Sequence, residues 1–193
     1  MRHLLKLVVS SMLLAIVLTS CISSKDKEFN DLAAQAKAHE DNFDYQAAAD
    51  VYTKALDIKE DPEVRTKLNN LNNEIEEIRG VKGIINEIKT ISGAYKNVLS
   101  SEDLLSLCEK LTKLVSQLEA LDTSSGGSAA NYIDKLKAST YYFSFTSSIE
   151  SAQIYQTVGG AGHDAFTDAK AIDDEVTALL SDVSFPPSFA SIN

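Results

Sequence analysis

The chain has 193 residues, with 28 Asp and Glu against 18 Lys and Arg and a formal net charge of −10. Eight Gly and three Pro are too few for a sandwich or barrel that turns about every ten residues. Two Cys supply neither a disulfide scaffold nor a zinc site without borrowed His, and the acidic balance excludes a basic stripe that would grip nucleic acid.

Residues 1–20 read as an export signal. Arg2, His3 and Lys6 form a basic start, and the apolar run from Leu7 to Leu18 is broken only by Ser10 and Ser11. A secretory apolar core is about 7–15 residues long, whereas a spanning helix needs about 20, so the run fits export. It ends in Leu18-Thr19-Ser20-Cys21. This resembles the bacterial lipoprotein signal, in which Leu and two small residues precede an invariant Cys. The alternative is an ordinary cleaved signal. The resemblance implies that Cys21 becomes the mature N-terminus, with a thioether-linked diacylglyceride and usually a third acyl chain on its amine. Two or more acyl chains anchor stably where one is marginal. Loss of Arg2 and Lys6 leaves 16 basic against 28 acidic residues, a net charge of −12, which an anionic membrane repels. The expected location is therefore the extracytoplasmic side of a bacterial envelope membrane, held through lipid alone. Ile22 rather than Asp follows the Cys, so no inner-membrane retention signal is evident.

The rest reads as all-α: a polar tether at 21–28, a helical hairpin at 29–61, an antiparallel bundle of about four helices at 62–184, and a short tail at 185–193. In the hairpin, Ala48-x3-Tyr52 with Ala55 three residues on resembles helix B of a tetratricopeptide repeat. Tyr45 stands at the start of that helix. Leu32 and Ala36 stand where the first helix of the repeat has Trp and its close-packing Gly. Gln35 and His39 depart from the usual Leu and Tyr, and the closing Pro arrives late, as Pro62. No second copy follows, and three repeats are the usual minimum for a solenoid. The same small residues also suit a generic alanine-rich hairpin with no peptide groove.

After Pro62, apolar residues recur every three or four positions from Val64 to Val98, the stripe of one helix face. The spacing predicts one helix over 63–99, about 37 residues and roughly 55 Å long, with Gly80 and Gly83 marking a bend or a close crossing. Ser100 and Ser101 offer an N-cap and Glu102 and Asp103 a favourable first turn for a helix carrying Leu104, Leu107, Cys108, Leu111, Leu114, Val115, Leu118 and Leu121. Cys108 lies on its apolar face and reads as a buried structural thiol. The Gly/Ser linker at 123–128 precedes a helix expected over 129–158. Its β-favouring stretch 140–146 is kept helical because no strand is near to pair with it. The last helix runs from about His163 to Val183, stopped by Phe185-Pro186-Pro187.

Little chemistry is legible. Gly159-Gly160-Ala161-Gly162 follows a helix rather than a strand and lacks the Lys-Ser/Thr ending of a phosphate loop, so it reads as a turn. His39-Glu40-Asp41 and His163-Asp164 contain ligand types, but neither has a second His four residues away. They read as solvated polar residues, as does the run Asp173-Asp174-Glu175, and no metal or cofactor is expected. No Gly-x-Ser-x-Gly elbow occurs, so no enzyme is expected. Tyr141, Tyr142, Phe143, Phe145 and Tyr155 are five of the 14 Tyr and Phe residues, and five rings cannot all point inward. Phe143 is placed in the core beside Leu136. Tyr141, Tyr142, Phe145 and Tyr155 are the candidate partner face or ligand pocket. Two functions follow: a lipoprotein adaptor that holds an envelope protein, in the way repeat-containing lipoproteins serve in assembly, or a bundle with a dry cavity for a small apolar or aromatic ligand.

Overall fold

The structure, a computed structural model, describes residues 24–159 and 163–192. Among these residues there are seven α-helices and no strand, so the chain is all-α as expected. It divides into two compact units that part between Asn73 and Glu74, inside a helix and not at the loop before Pro62. The expected export signal and lipobox, with Cys21, lie outside the described residues.

In the first unit, α1 spans 24–41 and α2 spans Tyr45–Ile58. Residues 24–28, expected as tether, are helical and continuous with the rest of α1, and Phe29 is already buried. The turn between the helices satisfies the last carbonyls of α1: Asp44 N–H donates to His39 O and Phe43 N–H to Glu40 O, both at 2.9 Å. This is a Schellman arrangement, with Phe43 in the left-handed position (φ 61°) that usually belongs to glycine. An ion pair from Lys59 to Asp26 at 3.0 Å joins the end of α2 to the start of α1, so the two helices run antiparallel. Ala36, Ala48 and Ala55 are fully buried. Their small side chains allow the two backbones to approach closely.

Helix α3 spans Pro62–Gly93 and contributes to both units. Asp61 caps it by accepting from the N–H groups of Glu63 (2.9 Å) and Val64 (3.0 Å), with Pro62 at the first position. Val64, Leu68, Leu71, Ile75, Ile78, Val81, Ile85 and Ile88 are its buried stripe. Gly80 and Gly83 interrupt nothing, and a Cβ at either would meet no atom within 4 Å, so neither marks a crossing. The helix stops six residues before Leu99, and a 3-10 turn, Ala94–Asn97, completes the segment.

The second unit holds the end of α3 together with α4 (Ser101–Glu119), α5 (Ser128–Ala138), α6 (Thr140–Val158) and α7 (Ala165–Asp182). Helix α6 packs against α7, α4 and α5, and α4 also packs against α7. Ser100 caps α4 as expected: its Oγ accepts from Asp103 N–H at 3.2 Å, and Asp103 accepts from Leu99 N–H at 3.1 Å. Ser100 Oγ also donates to Asp103 Oδ2 at 2.8 Å, and this bond, with that from the Leu99 amide, holds the Asp103 carboxyl below its usual pKa. Helix α5 is capped from a distance. Glu74 of α3 accepts from Ser128 N–H (2.6 Å) and Ala129 N–H (3.3 Å), and this carboxylate passes so close to Gly127 that a Cβ there would lie 2.0 Å from it.

One expectation is overturned here. Residues 129–158 are not one helix. Ser139 is extended (φ −70°, ψ 137°), its Oγ accepts from Tyr141 N–H at 3.3 Å and donates to Asp182 Oδ2 at 2.7 Å, and α6 starts afresh after it. The short tail expected at 185–193 is packed over part of its described length, which the sequence did not indicate. Ser188, Phe189 and Ile192 are buried, and the Lys82 ammonium donates to the carbonyls of Phe189, at 3.0 Å, and Ile192.

Candidate functional site

The break at Ser139 decides which rings of α6 point inward. In a continuous helix Phe143, seven residues after Leu136, would share its face. The restart rotates that register, and the buried set becomes Tyr142, Phe145, Ile149 and Ala152, at steps of three, four and three. Phe145 is 0 % exposed and Phe143 is 73 % exposed, which corrects the expected assignment of both. Tyr142 is also core: its hydroxyl donates to Glu119 Oε1 of α4 at 3.3 Å, and burial, then the nearby Glu119 carboxylate, raises its pKa. Neither Tyr142 nor Phe145 lines the open groove between α6 and α7 described below. Tyr141 and Tyr155 do remain exposed.

The outer face of α6 carries apolar side chains among polar ones, with Ser147 and the exposed Glu150 between Phe143 and Ile154. Phe143, Ile154 (59 % exposed) and Val158 (76 % exposed) stand in solvent. At about 100° per residue they fall with Ser147 within about 60° of one another. Along one edge of this stripe runs an open groove of about 390 Å³ between α6 and α7. Its α6 wall is a ladder of Ser144, Ser147, Ser148 and Ser151, ending at Tyr155. Its α7 side presents Asp168, Ala171 and Glu175, with His163 at the end.

The groove is polar and acidic. No Lys or Arg lines it. His163 stacks on Tyr155 with centroids 3.7 Å apart and planes 10° apart, and its Nδ1 lies 3.0 Å from Asp168 Oδ1. Gln156 donates to the other Asp168 oxygen at 3.3 Å. The three carboxylates of 173–175 go separate ways. Asp173 accepts from the buried Ser92 hydroxyl at 2.9 Å, Asp174 pairs with Lys170 at 2.5 Å, and Glu175 faces the groove with no hydrogen bond or ion pair among the described residues. The His163–Asp168 pair orients an imidazole, but no groove serine is hydrogen-bonded to that ring among the described residues, so no nucleophile–base contact is formed.

The hairpin residues serve packing. Tyr52 is buried and its hydroxyl donates to Glu40 at 3.1 Å. Burial first, then Glu40, pushes its pKa up to about 12. Leu32 and Tyr45 are half-buried beside Ala36, Ala48 and Ala55. With Glu40 engaged by Tyr52, and His39 3.4 Å from Asp44, the His39 stretch gathers no ligand set. No group of three His, Cys, Asp or Glu side chains that would hold a metal occurs among the described residues. Cys108 is buried, and burial pushes its thiol up to about 11, which keeps it in the unreactive form at neutral pH. No described helix is long and apolar enough to cross a membrane. The outer stripe of α6 was missed in the sequence, although α6 has a single charged residue, Glu150, in 19 positions, and that poverty of charge is itself a signal. No family model, curated protein or solved structure matches the chain.

Proposed function

We propose that the chain is a membrane-anchored, non-enzymatic lipoprotein of the bacterial cell envelope that acts as a protein-binding adaptor or assembly factor. Lipid on Cys21 holds it on the extracytoplasmic side of a membrane, and a single tetratricopeptide-like hairpin forms its N-terminal unit. The observation that carries this reading is the outer face of α6. The core face of that helix is already supplied by Tyr142, Phe145, Ile149 and Ala152, yet Phe143, Ile154 and Val158 are left in solvent. Large apolar side chains left in water along one side of a helix suit an interaction site. The hairpin supports the adaptor as a packed unit, because its motif residues Ala36, Ala48, Tyr52 and Ala55 are turned into its own core.

Affinity capture from detergent-solubilised native membranes tests the reading. An envelope protein is expected with the intact chain and not with a variant carrying Phe143→Ser, Ile154→Ser and Val158→Ser. A chain lacking residues 29–61 should retain capture if α6 supplies the contact. An empty eluate from the intact chain would remove the adaptor reading.

A further inference from the structure

Resting on the adaptor reading, we infer that the stripe and groove of α6 and α7 form a docking site for a basic amphipathic helix of the partner. Two properties of the surface converge on that chemistry. Phe143, Ile154 and Val158 lie along one side of α6 over about four turns, with Ser147 and the exposed Glu150 between Phe143 and Ile154, which is room for two successive sets of amphipathic-helix anchors at i, i+3, i+4 and i+7. Directly beside it, the groove holds the carboxylates of Glu175 and Asp168 and no cation from Lys or Arg.

Glu175 is the deciding residue. Its neighbours along the chain are engaged, Asp174 by Lys170 and Asp173 by Ser92, while Glu175 has no counter-charge among the described residues. An unpaired carboxylate in a groove is complementary to a Lys or Arg side chain reaching down from a helix laid on the strip. An acidic segment would meet like charge there, and a second copy of this chain, at −10 overall, would add to the repulsion. The α6 wall also suits a helix. Ser144, Ser147, Ser148 and Ser151 are short, so a neighbouring backbone approaches closely, and their hydroxyls make no hydrogen bond among the described residues and are open to accept from a basic side chain.

The test uses the full chain, purified from membranes and held in zwitterionic nanodiscs, with empty nanodiscs as the blank. Two synthetic amphipathic peptides of about 18 residues, long enough for five turns, serve as probes: one of Leu and Lys, the other with every Lys replaced by Glu. The Lys peptide should bind at least about tenfold tighter, a difference of about 1.4 kcal/mol. Glu175→Gln should weaken it about three- to tenfold and Phe143→Ser with Ile154→Ser by about tenfold. Glu109→Gln, on an exposed α4 carboxylate that does not line the groove, should leave it unchanged. Equal binding of both peptides, or equal loss in Glu175→Gln and Glu109→Gln, would overturn the inference. If that happened while the α6 serine variant still lost membrane capture, the adaptor would stand and only the basic partner would fall.

Discussion

Helices α4 and α6 each have 19 residues and pack against one another, and they meet water in opposite ways. Helix α4 buries Leu104, Leu107, Cys108, Leu111, Leu114, Val115 and Leu118 and gives solvent Glu102, Asp103, Glu109, Lys110, Lys113 and Glu119. Helix α6 buries Tyr142, Phe145, Ile149 and Ala152, and its opposite side carries Phe143, Ile154 and Val158 among serines, with Glu150 its one charge. The core requirement is the same for both, and each meets it with a stripe of period 3.6. The difference lies wholly on the outside. Exposed apolar residues scattered singly need no explanation. Three of them aligned on a helix that has almost no charge point to a surface meant to be covered.

The largest effect that tests this division comes from neighbouring rings on α6. Phe145→Ala should cost about 3–5 kcal/mol in urea unfolding, as expected for a large buried aromatic, whereas Phe143→Ala should stay within about 0.5 kcal/mol. Leu111→Ala on α4, also fully buried, should cost about 2–5 kcal/mol. If Phe143→Ala destabilised as much as Phe145→Ala, the register set by Ser139 would be wrong and the outer face of α6 would not exist.

That register explains what the sequence shows and what it hides. The stripe of α4 is legible because Ser100 announces the cap and the leucines keep their period to Leu118. The stripe of α3 is legible for the same reason. Ser139 was hidden because the deciding interactions are not local: its hydroxyl donates to Asp182, 43 positions away. Counting from Leu136 then puts Phe143 inside, while counting back from Ile149 puts Phe145 and Tyr142 there. The placing of Phe189 and Ile192 was hidden likewise, since their carbonyls accept from Lys82, more than 100 positions upstream. Glu175 could not be separated from Asp173 and Asp174 without knowing which carboxylates find partners. The resemblance of Leu18-Thr19-Ser20-Cys21 to a lipobox, by contrast, is local in the sequence and owes nothing to the folded units.

A smaller effect probes the seam between the two helices, where the Tyr142 hydroxyl donates to Glu119. Folding raises the Tyr142 pKa, chiefly through burial, and burial pushes Tyr132 up to about 12 as well. A phenol whose pKa is raised by folding contributes stability that is intact below its unfolded value near pH 10 and is lost as pH rises through the folded value. Stability of the second unit should therefore be level through neutral pH and fall above about pH 10, with tyrosinate absorbance and loss of helical circular dichroism rising together. Tyr142→Phe should lose about 0.5–1.5 kcal/mol at pH 7 and show a shallower alkaline fall. An unchanged alkaline slope would mean that Tyr142 ionises without leaving its place against α4.

The smallest expected effect bears hardest on function. Phe143→Ser, Ile154→Ser and Val158→Ser each remove apolar surface that the fold already leaves in water, so each should change the unfolding free energy by no more than about 0.5 kcal/mol. The three together should lower binding of a hydrophobic dye such as bis-ANS and shorten retention on a phenyl column, making α6 resemble α4 from outside. If the outer apolar side chains instead served the fold, the triple variant would lose more than about 2 kcal/mol, because truncation would then open packed contacts. Stability that is indifferent to the stripe, beside capture that depends on it, is the combination that a binding face requires and that a core cannot produce.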